Sequence, residues 1–381
     1  MPATLETEKQ DTAPNWKHIM QELGPAFAAR ADEYDEQNRF VAANFEELRK
    51  FRLFSAMVPV ELGGGGLPYG EMSLLIQEIG RVCGSTALAF AMHQHLVAAA
   101  VFNYKKGRPG EKLLRAVASG ERVLVSTGAN DWLASNGSLQ AVDGGFLFSG
   151  RKSFASGCLA GDILVTSGQF EDPTEGWQVL HFPLSLKSQG LRIEETWNTM
   201  GMRGTGSHDV VIENAFVPAD TISLRRPRGV YHAVWNVVLS VALPLISSAY
   251  VGIGQAAREI ACRNAAKKDD GLTSLLLGEM ENELTTAEIA LDSMRTIVAD
   301  LNFEASVETA NRILIRKTLV TQGVIHATEK ALEATRGAGY FRSKGLERLL
   351  RDAYAGQFHP LQPKRQHQFT GRLAMGLDPI A

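Results

Sequence analysis

The hydrophobic and polar positions divide the chain into three blocks with different periods. In the first and third blocks, apolar residues recur every three or four positions, as they do on one face of a helix. In the second block they form short runs about ten residues apart, which is typical of strands in an antiparallel sandwich or barrel. The pattern predicts a helical domain at residues 1–120, a β domain at 121–227 and a helical bundle at 228–381.

Three helices are predicted in the first block, and a glycine tract interrupts them. The apolar spacing indicates helices at Ala28–Phe54, Gly70–Val82 and Ser85–Tyr104. The tract Gly63–Gly66 lies between the first two and predicts a loop. A phosphate-binding loop would need a preceding strand and a following Lys-Ser/Thr pair, and this tract has neither.

Short β-type runs predict the strands of the second block. They are Val123–Val125, Leu139–Val142, Phe146–Phe148, Ile163–Thr166, Trp177–Phe182 and Val210–Ile212. The triplet Asp143-Gly144-Gly145 lies between the second and the third run. Because glycine tolerates the positive φ of a tight turn, these two runs are expected to form a hairpin.

The third block combines a long uncharged segment with a regular apolar stripe. Tyr231–Gln255 has no Lys, Arg, Asp or Glu, and about 20 apolar residues can span a bilayer. Because polar residues and Pro244 interrupt it, we interpret it as a helix buried at the centre of a bundle. The stripe has the spacing of a packed helix and consists of Met280, Leu284, Ala287, Leu291, Met294, Val298 and Leu301.

Composition and charge exclude several classes of protein. The 381 residues carry 39 basic and 42 acidic side chains, a formal net charge of −3, which disfavours a nucleic-acid or anionic-membrane binder. Three separated cysteines exclude a disulfide scaffold and a four-thiolate zinc site, and they fit a reducing compartment. The polar N-terminus shows no secretory signal. We therefore expect a cytoplasmic protein.

The motifs of three common enzyme classes are absent. The nine histidines form no HExxH pair, and His93 and His95 would point in different directions on a helix, so no metal site is predicted. No GxSxG elbow is present. The glycines of Gly201–Gly206 have the wrong offsets for a GxGxxG loop. These absences argue against metallohydrolases, serine hydrolases and nicotinamide-dependent dehydrogenases.

Three unusual segments occur at definite spacings. They are Gly150–Cys158, Met200–Asp209, and Arg336–Tyr340 followed by Leu349–Ala353. Together they resemble the acyl-CoA dehydrogenase superfamily, and the resemblance covers nearly the whole chain. It implies an α+β fold with an N-terminal helical domain, a middle antiparallel β-barrel and a C-terminal four-helix-type bundle. It also implies a homotetramer and a flavin, FAD or FMN, between the β domain and the bundle.

The resemblance assigns flavin contacts residue by residue. Ser156, with its backbone N–H, occupies the position of the family's hydroxyl at flavin N5, and Phe154 occupies that of an aromatic wall. Thr127 matches the hydroxyl beside the pyrimidine end of the ring. Gly337 and Gly339 match a glycine loop that approaches the flavin of a neighbouring subunit.

The chain departs from the dehydrogenases of this family at the residue that removes the substrate proton. In those enzymes a glutamate takes the α-proton of a thioester while hydride passes to the flavin. Both positions where the family keeps this base hold other residues here, Pro360 and Ala242. The family segment that reaches the FAD pyrophosphate is also replaced, by residues 267–272.

The run from Arg351 to His359 resembles another branch of the superfamily, the two-component flavin monooxygenases. In that branch a histidine at the position of His359 lies over flavin C4a, and the hydroxyl matching Ser156 steadies a C4a-(hydro)peroxyflavin. A histidine of the N-terminal domain faces the substrate, which implies His93, with His95 as the alternative. An imidazole suits this chemistry because its ordinary pKa lies near ~6.5. We therefore predict His359, His93 and Ser156 as catalytic residues.

These observations leave three hypotheses for the function. The first is a flavin monooxygenase that receives reduced flavin from a separate reductase and oxidises a small molecule. The second is an acyl-CoA dehydrogenase with a displaced base and an electron-transfer partner, and the third is an inactive binding protein. Arg225, Arg226 and Arg228 are interpreted as a solvated basic linker, with a phosphate contact as the alternative.

Overall fold

The first block is helical in the computed structural model, which describes residues 13–128, 131–265 and 270–380. Its helices are α1 (Trp16–Glu36), α2 (Ala42–Lys50), α3 (Tyr69–Val82), α4 (Gly84–Lys105) and α5 (Glu111–Gly120). The second and third predicted helices are confirmed as α3 and α4. The first is divided between α1 and α2, because Asn38 adopts a φ of 51° and turns the chain. Residues 1–12, on which the prediction about a secretory signal depends, lie outside the described residues.

The described residues of the second block form a mixed eight-stranded sheet. Its strands are β1 (Leu124–Ser126), β2 (Ser138–Val142), β3 (Gly145–Ala155), β4 (Ile163–Asp172), β5 (Gly176–Ser185), β6 (Leu191–Glu194), β7 (His208–Pro218) and β8 (Leu224–Pro227). The strand order is β6-β7-β3-β2-β4-β5-β8, and β1 pairs with β4. The inward side chains form a separate core under the sheet.

The predicted hairpin is confirmed, and two details of the sheet differ from the expectation. Val142 pairs with Gly145, and Gly144 in the turn has a φ of 74°. β1 and β2 run parallel to β4, so the sheet is mixed rather than wholly antiparallel. The end strands β6 and β8 have four residues each, too short for a clear alternation, and they are not paired with each other among the described residues.

The third block is a helical bundle built around one long helix. Its helices are α6 (Val234–Ala265), α7 (Leu272–Val298), α8 (Val307–Thr335), α9 (Leu346–Tyr354) and α10 (Pro363–Ala374). α6 packs against α3 and α4 of the first block as well as against α7 and α8. The predicted stripe is buried, as expected for core positions, and its last residue, Leu301, lies in the turn that follows α7. One hydrophobic core is therefore shared by the two helical blocks.

Among the helices of the described residues, α4 and α6 are long and apolar enough to cross a membrane by length and composition. The most apolar windows of these helices are 83% and 94% buried inside the protein. Burial of this degree is typical of core helices that are apolar on all sides. The predicted buried helix at the centre of the bundle is confirmed.

The three blocks meet at one turn of the β domain. The Asp352 carboxylate accepts a hydrogen bond from the backbone N–H of Met202, and the Arg351 guanidinium donates to the carbonyl of Met200 at 2.8 Å. Arg351 also forms a bidentate ion pair with Asp35 of α1, with N···O distances of 2.6 and 3.0 Å. Because Arg351 and Asp352 belong to α9, these bonds join the sheet to both helical blocks.

Replacing Gly201 with alanine is expected to weaken this junction. A Cβ at Gly201 would lie 2.2 Å from the carbonyl oxygen of Arg351, so the turn and α9 would have to separate. Overpacking of this kind lowers the free energy of unfolding by about 1–3 kcal/mol, which urea denaturation measures. The control is Gly337→Ala, since a Cβ there meets no atom within 4 Å. Equal stability of the two variants would contradict the packing described.

Candidate active site

A cavity of about 610 Å³ lies where the β domain, α4 and the segment after α9 meet. Its wall is mostly apolar and aromatic with a few polar groups, as is usual for sites that bind small molecules. The structure brings three of the predicted site residues to this one cavity: Phe154, Ser156 and His359.

Ser156 ends a chain of three hydroxyl groups. Its Oγ lies 2.7 Å from that of Ser207, which lies 2.8 Å from Oγ1 of Thr205. The Thr205 hydroxyl donates its only proton to the Met202 carbonyl at 2.9 Å. Ser207 must therefore donate to Thr205, and Ser156 must donate to Ser207. This order leaves the lone pairs of Ser156 Oγ as hydrogen-bond acceptors at the cavity wall.

Phe154 and Trp197 form an aromatic part of the wall. Their ring centroids lie 6.0 Å apart in an edge-to-face arrangement. Phe154 has a φ of 60°, in a region that residues other than glycine adopt at an energetic cost. Its side chain is 47% exposed, so burial of the ring does not compensate this cost. A strained, exposed aromatic residue in a cavity points to contact with a ligand.

His359 forms a hydrogen bond with a buried tyrosine. The Oη atom of Tyr250 lies 2.7 Å from Nε2 of His359, and Tyr250 is 2% exposed. Burial raises the pKa of Tyr250 well above its ordinary value. Burial, and next the charge of Lys317, lower the pKa of His359 to about 3. Tyr250 therefore keeps its proton, and no other acceptor for it lies within hydrogen-bond distance among the described residues. We infer that its hydroxyl donates to Nε2, so the neutral imidazole carries its own proton on Nδ1.

The described lining of the cavity contains no carboxylate. Pro360, at one of the two positions to which the resemblance assigns a dehydrogenase's base, lines the cavity, and Ala242, at the other, is buried in α6. The charged groups of the described wall are the guanidinium groups of Arg351 and Arg365. This wall offers an imidazole and hydroxyl groups for proton transfer.

The structure does not bring His93 to the cavity lining. Its Nδ1 accepts a hydrogen bond from the backbone N–H of Leu124 at 2.9 Å, and its Nε2 donates to the Phe54 carbonyl at 2.9 Å. Burial lowers the pKa of His93 to about 4. With both ring nitrogens bonded to backbone, His93 joins α4 to β1 and has no free nitrogen for a substrate.

His95, the alternative to His93, lies on the α4 face that carries two cavity residues. Leu88 and Met92 line the cavity, and His95 follows Met92 by three positions, which places it on the same side of the helix. Burial lowers the pKa of His95 to about 4, and a charge on it would lower the pKa of His359. Of the two histidines, His95 has the better position for a role near the cavity.

Thr127 lies in a buried polar network of the β domain. Its hydroxyl donates to Asp131 at 3.1 Å and lies 2.8 Å from the hydroxyl of Thr166. Asp131 forms a buried salt bridge with Lys152 at 2.8 Å. The structure does not place Thr127 in the cavity lining, and residues 129–130, which follow it closely, lie outside the described residues.

Gly337 and Gly339 lie in a short turn after α8 and are not part of the described cavity lining. Gly337 is exposed, whereas a Cβ at Gly339 would lie 1.9 Å from the last side chain of α8. Tyr340 and Phe341, which follow, are 82% and 67% exposed. A contact with the flavin of another subunit stays a prediction. The replaced pyrophosphate segment also stays untested, because residues 266–269 lie outside the described part of the chain.

Arg226, interpreted from the sequence as part of a solvated linker, is 1% exposed. Its guanidinium donates to the carbonyls of Leu133 and Trp132 at 2.5 and 3.3 Å, and to Nε2 of His181 at 3.0 Å. The interpretation is wrong for Arg226, because these acceptors replace water around it. Since Trp132 lines the cavity, Arg226 holds the loop that supplies part of the wall.

Comparisons with known proteins cover nearly the whole chain. The family models described as acyl-CoA dehydrogenase N-terminal domain and C-terminal domain match residues 18–121 and 249–362. Amino sugar nitrososynthase DnmZ from Streptomyces peucetius is 26% identical over 374 residues, covering 94% of this chain and 92% of that protein. Cyclohex-1-ene-1-carbonyl-CoA dehydrogenase from Geobacter metallireducens is 25% identical over 358 residues, covering 91% and 93%.

A solved structure of KijD3 in complex with FMN and dTDP-3-amino-2,3,6-trideoxy-4-keto-3-methyl-D-glucose shares the fold. It has a TM-score of 0.86 and 24% identity, and it covers 98% of this chain and 97% of that chain. The matches confirm the predicted fold class and the prediction of a flavin-dependent oxidoreductase. The chain belongs to the acyl-CoA dehydrogenase superfamily.

Proposed function

We propose that this protein is a two-component flavin monooxygenase that takes reduced flavin from a separate reductase. The observation that carries the proposal is the chemistry of the cavity wall, whose described residues include the neutral imidazole of His359 and no carboxylate. A small-molecule substrate gains one atom of O2, and the other atom leaves as water. The bound reduced flavin supplies the two electrons for this reaction.

The cavity fits a flavin ring in size and chemistry. Ligand sites usually have volumes of roughly 300–1,000 Å³, and this one has about 610 Å³. Phe154 and Trp197 offer aromatic contact, and the lone pairs of Ser156 can accept a hydrogen bond from an N–H of a reduced ring. FMN and FAD carry the same ring, so both remain candidates. Thr127, Gly337 and Gly339 are supported as flavin contacts by the resemblance alone.

Ser156 and His359 have opposite hydrogen-bonding roles in the cavity wall, one as an acceptor and the other as a donor. Ser156 has committed its proton to Ser207 and acts as an acceptor, whereas His359 carries a proton on Nδ1 and acts as a donor. Because the pKa of His359 is lowered to about 3, the imidazole is uncharged at neutral pH. Its role is therefore to hold and orient an oxygen-bearing group by a neutral N–H donor.

The dehydrogenase alternative requires a base that removes an α-proton. A carboxylate or an imidazole with a pKa near the working pH serves best in that role. His359 is a weak base because its pKa is lowered to about 3, and Pro360 carries no proton acceptor on its side chain. These properties favour oxygen chemistry over α-proton removal.

The test compares two reactions of the purified protein. With a flavin reductase, NADH and O2, we expect substrate-dependent product formation that consumes one O2 per product, measured by oxygen electrode and mass spectrometry over a panel of amines, thiols and aromatic compounds. In the absence of oxygen, we expect acyl-CoA thioesters to leave the absorbance of bound oxidised flavin unchanged. Bleaching by an acyl-CoA would overturn the proposal in favour of the dehydrogenase.

Replacing Ser156 with alanine is expected to weaken binding of reduced flavin. The variant loses the acceptor at the wall, and one hydrogen bond of this kind is worth about 1 kcal/mol, or about fivefold in the dissociation constant. Anaerobic titration with reduced FMN and reduced FAD measures the change. Ser119→Ala, at an exposed helix end, provides the control. Unchanged affinity in Ser156→Ala would remove Ser156 from the flavin site.

The finer assignments belong to the same proposal. The chain acts in the cytoplasm, as the separated cysteines support. It forms a homotetramer, which the exposed apolar residues of the bundle support: Leu275, Ile289 and Phe341 are 59%, 65% and 67% exposed. Light scattering of the purified protein tests the oligomer, and a monomer at micromolar concentration would refute it.

A further inference from the structure

Lys317 is a buried cation that holds the backbone around His359. It lies on α8 and is 2% exposed, and its Nζ donates to the carbonyl of His359 at 3.0 Å and to that of Leu361 at 3.2 Å. Among the described residues, no carboxylate forms a salt bridge with it. Burial lowers the pKa of Lys317 to about 8, so it is charged at neutral pH. Because a buried ammonium group needs oxygen partners, the two carbonyls are fixed in place.

Tyr250 holds the same segment from the opposite helix. Besides the hydrogen bond to Nε2 of His359, its ring lies 5.5 Å from the imidazole at 65°. The chain just before His359 also packs on this ring, since a Cβ at Gly356 would lie 3.4 Å from the Tyr250 ring and 3.2 Å from Thr321 of α8. The position of the imidazole is therefore set by α6 and α8 together.

We propose that Tyr250 and Lys317 are positioning residues that hold His359 as a neutral imidazole with its proton on Nδ1. Tyr250 sets the tautomer, because its hydroxyl can donate only to an unprotonated Nε2. Lys317 fixes the position of the backbone at His359 and Leu361, and its positive charge opposes protonation of the imidazole. The proposal rests on the proposed function for the chemistry that His359 performs, but the arrangement itself is made by the side chains and backbone of this chain alone.

The groups that face His359 from α4, α6 and α8 all disfavour its protonated form. Lys317 on α8 and His95 on α4 disfavour an imidazolium by charge repulsion, and Tyr250 on α6 offers a proton rather than a negative charge. Loss of the Tyr250 hydroxyl frees Nε2 to carry the proton. Loss of the Lys317 charge makes His359 easier to protonate.

The test is ¹⁵N NMR of the flavin-free protein labelled at its nine histidines, with the His359 signals identified by their absence in His359→Gln. In the wild type we expect Nε2 to show the shift of an unprotonated nitrogen, Nδ1 that of a protonated one, and no titration down to about pH 5. In Tyr250→Phe we expect the tautomer to mix or reverse. In Lys317→Met, and in Lys317→Gln as a second variant, we expect His359 to titrate at higher pH.

The control is Tyr69→Phe, which removes a different buried hydroxyl, bonded to the Val241 carbonyl at 2.7 Å, and should leave the His359 signals unchanged. A wild-type imidazole with its proton on Nε2 would overturn the proposal, and so would signals that stay the same in Tyr250→Phe and in both Lys317 variants.

Turnover provides a separate measurement. Because Tyr250→Phe no longer holds the proton of His359 on Nδ1, we expect kcat to fall about tenfold or more in this variant with little change in KM. If the NMR results hold while no turnover is found for the wild type, the proposed function fails and the positioning stands.

Discussion

Replacing His359 with alanine is expected to lower the rate of substrate oxygenation by about 100-fold or more, the usual size of the contribution from a positioned proton-transfer or hydrogen-bonding group. The variant loses the one imidazole of the described cavity wall, and with it the Nδ1–H donor. Consumption of O2 should continue, because the variant keeps Phe154 and Ser156, the proposed flavin contacts of the cavity wall. The electrons should then appear as hydrogen peroxide, so the ratio of product to peroxide should fall with the rate.

The control for this prediction is His367→Ala, which removes an exposed imidazole on α10. We expect wild-type turnover in that variant. Reduced-flavin affinity should change by less than about threefold in His359→Ala, below the effect of one lost hydrogen bond to the ring. If His359→Ala retained both its turnover and its product yield, His359 would have no part in the reaction.

Acidification below pH 6.5 is expected to destabilise the protein strongly. Four histidines have pKa values lowered to about 4, 4, 3 and 3, in each case chiefly by desolvation: His93 and His95, which are buried, and His181 and His359, which are partly buried. The folded state therefore binds fewer protons than the unfolded state between the lowered pKa and the ordinary value near ~6.5. Stability contributed by the neutral rings is present above pH 6.5 and is lost as the pH falls through this window.

The size of the effect follows from linkage. At about pH 5 a ring held neutral in this way lowers the free energy of unfolding by about 2 kcal/mol, a sizeable part of the stability of a typical domain. Asp352 has the opposite effect. Because burial raises the pKa of its carboxyl group to about 6, its contribution to the free energy of unfolding falls as the pH rises from 4 to 6 and is regained on acidification. One carboxyl group offsets only part of the effect of four imidazoles.

Urea denaturation at pH 7.5 and at pH 5.5 measures this dependence. We expect a clear loss of unfolding free energy at the lower pH, and a smaller loss in His95→Gln, which removes one of the four rings. His326→Gln is the control, since that imidazole lies half-exposed beside Glu283. A free energy of unfolding that is independent of pH over this range would show that these imidazoles are not buried in their neutral forms.

Much of the fold could be predicted from the sequence, because periodicity reports burial directly. The alternation of short runs predicts β2, β3 and their hairpin, and the apolar stripe predicts the buried face of α7. The four-residue edge strands β6 and β8 carry too few positions for a period to show. The break at Asn38 is also invisible, because one positive φ in a polar stretch leaves no pattern.

Residues of the candidate site could be predicted from the sequence only where they lie in a recognisable motif. Ser156 and His359 lie in motif segments, whereas Tyr250 and Lys317 look like ordinary helix residues and lie 109 and 42 positions from His359. Contacts between residues so far apart along the chain depend on how the helices pack, and a single sequence does not show that packing. Arg226 illustrates the same limit, because its charge predicts solvent exposure while the fold provides buried carbonyls instead.

Stopped-flow spectroscopy tests the central claim most directly. The protein is mixed with reduced flavin in the absence of oxygen, then with oxygenated buffer, and the absorbance of oxidised flavin is followed in time. We predict a delay before oxidised flavin appears that is longer than for free flavin and is shortened in His359→Ala. Reoxidation as fast as that of free flavin, together with bleaching of bound oxidised flavin by an acyl-CoA, would contradict a monooxygenase.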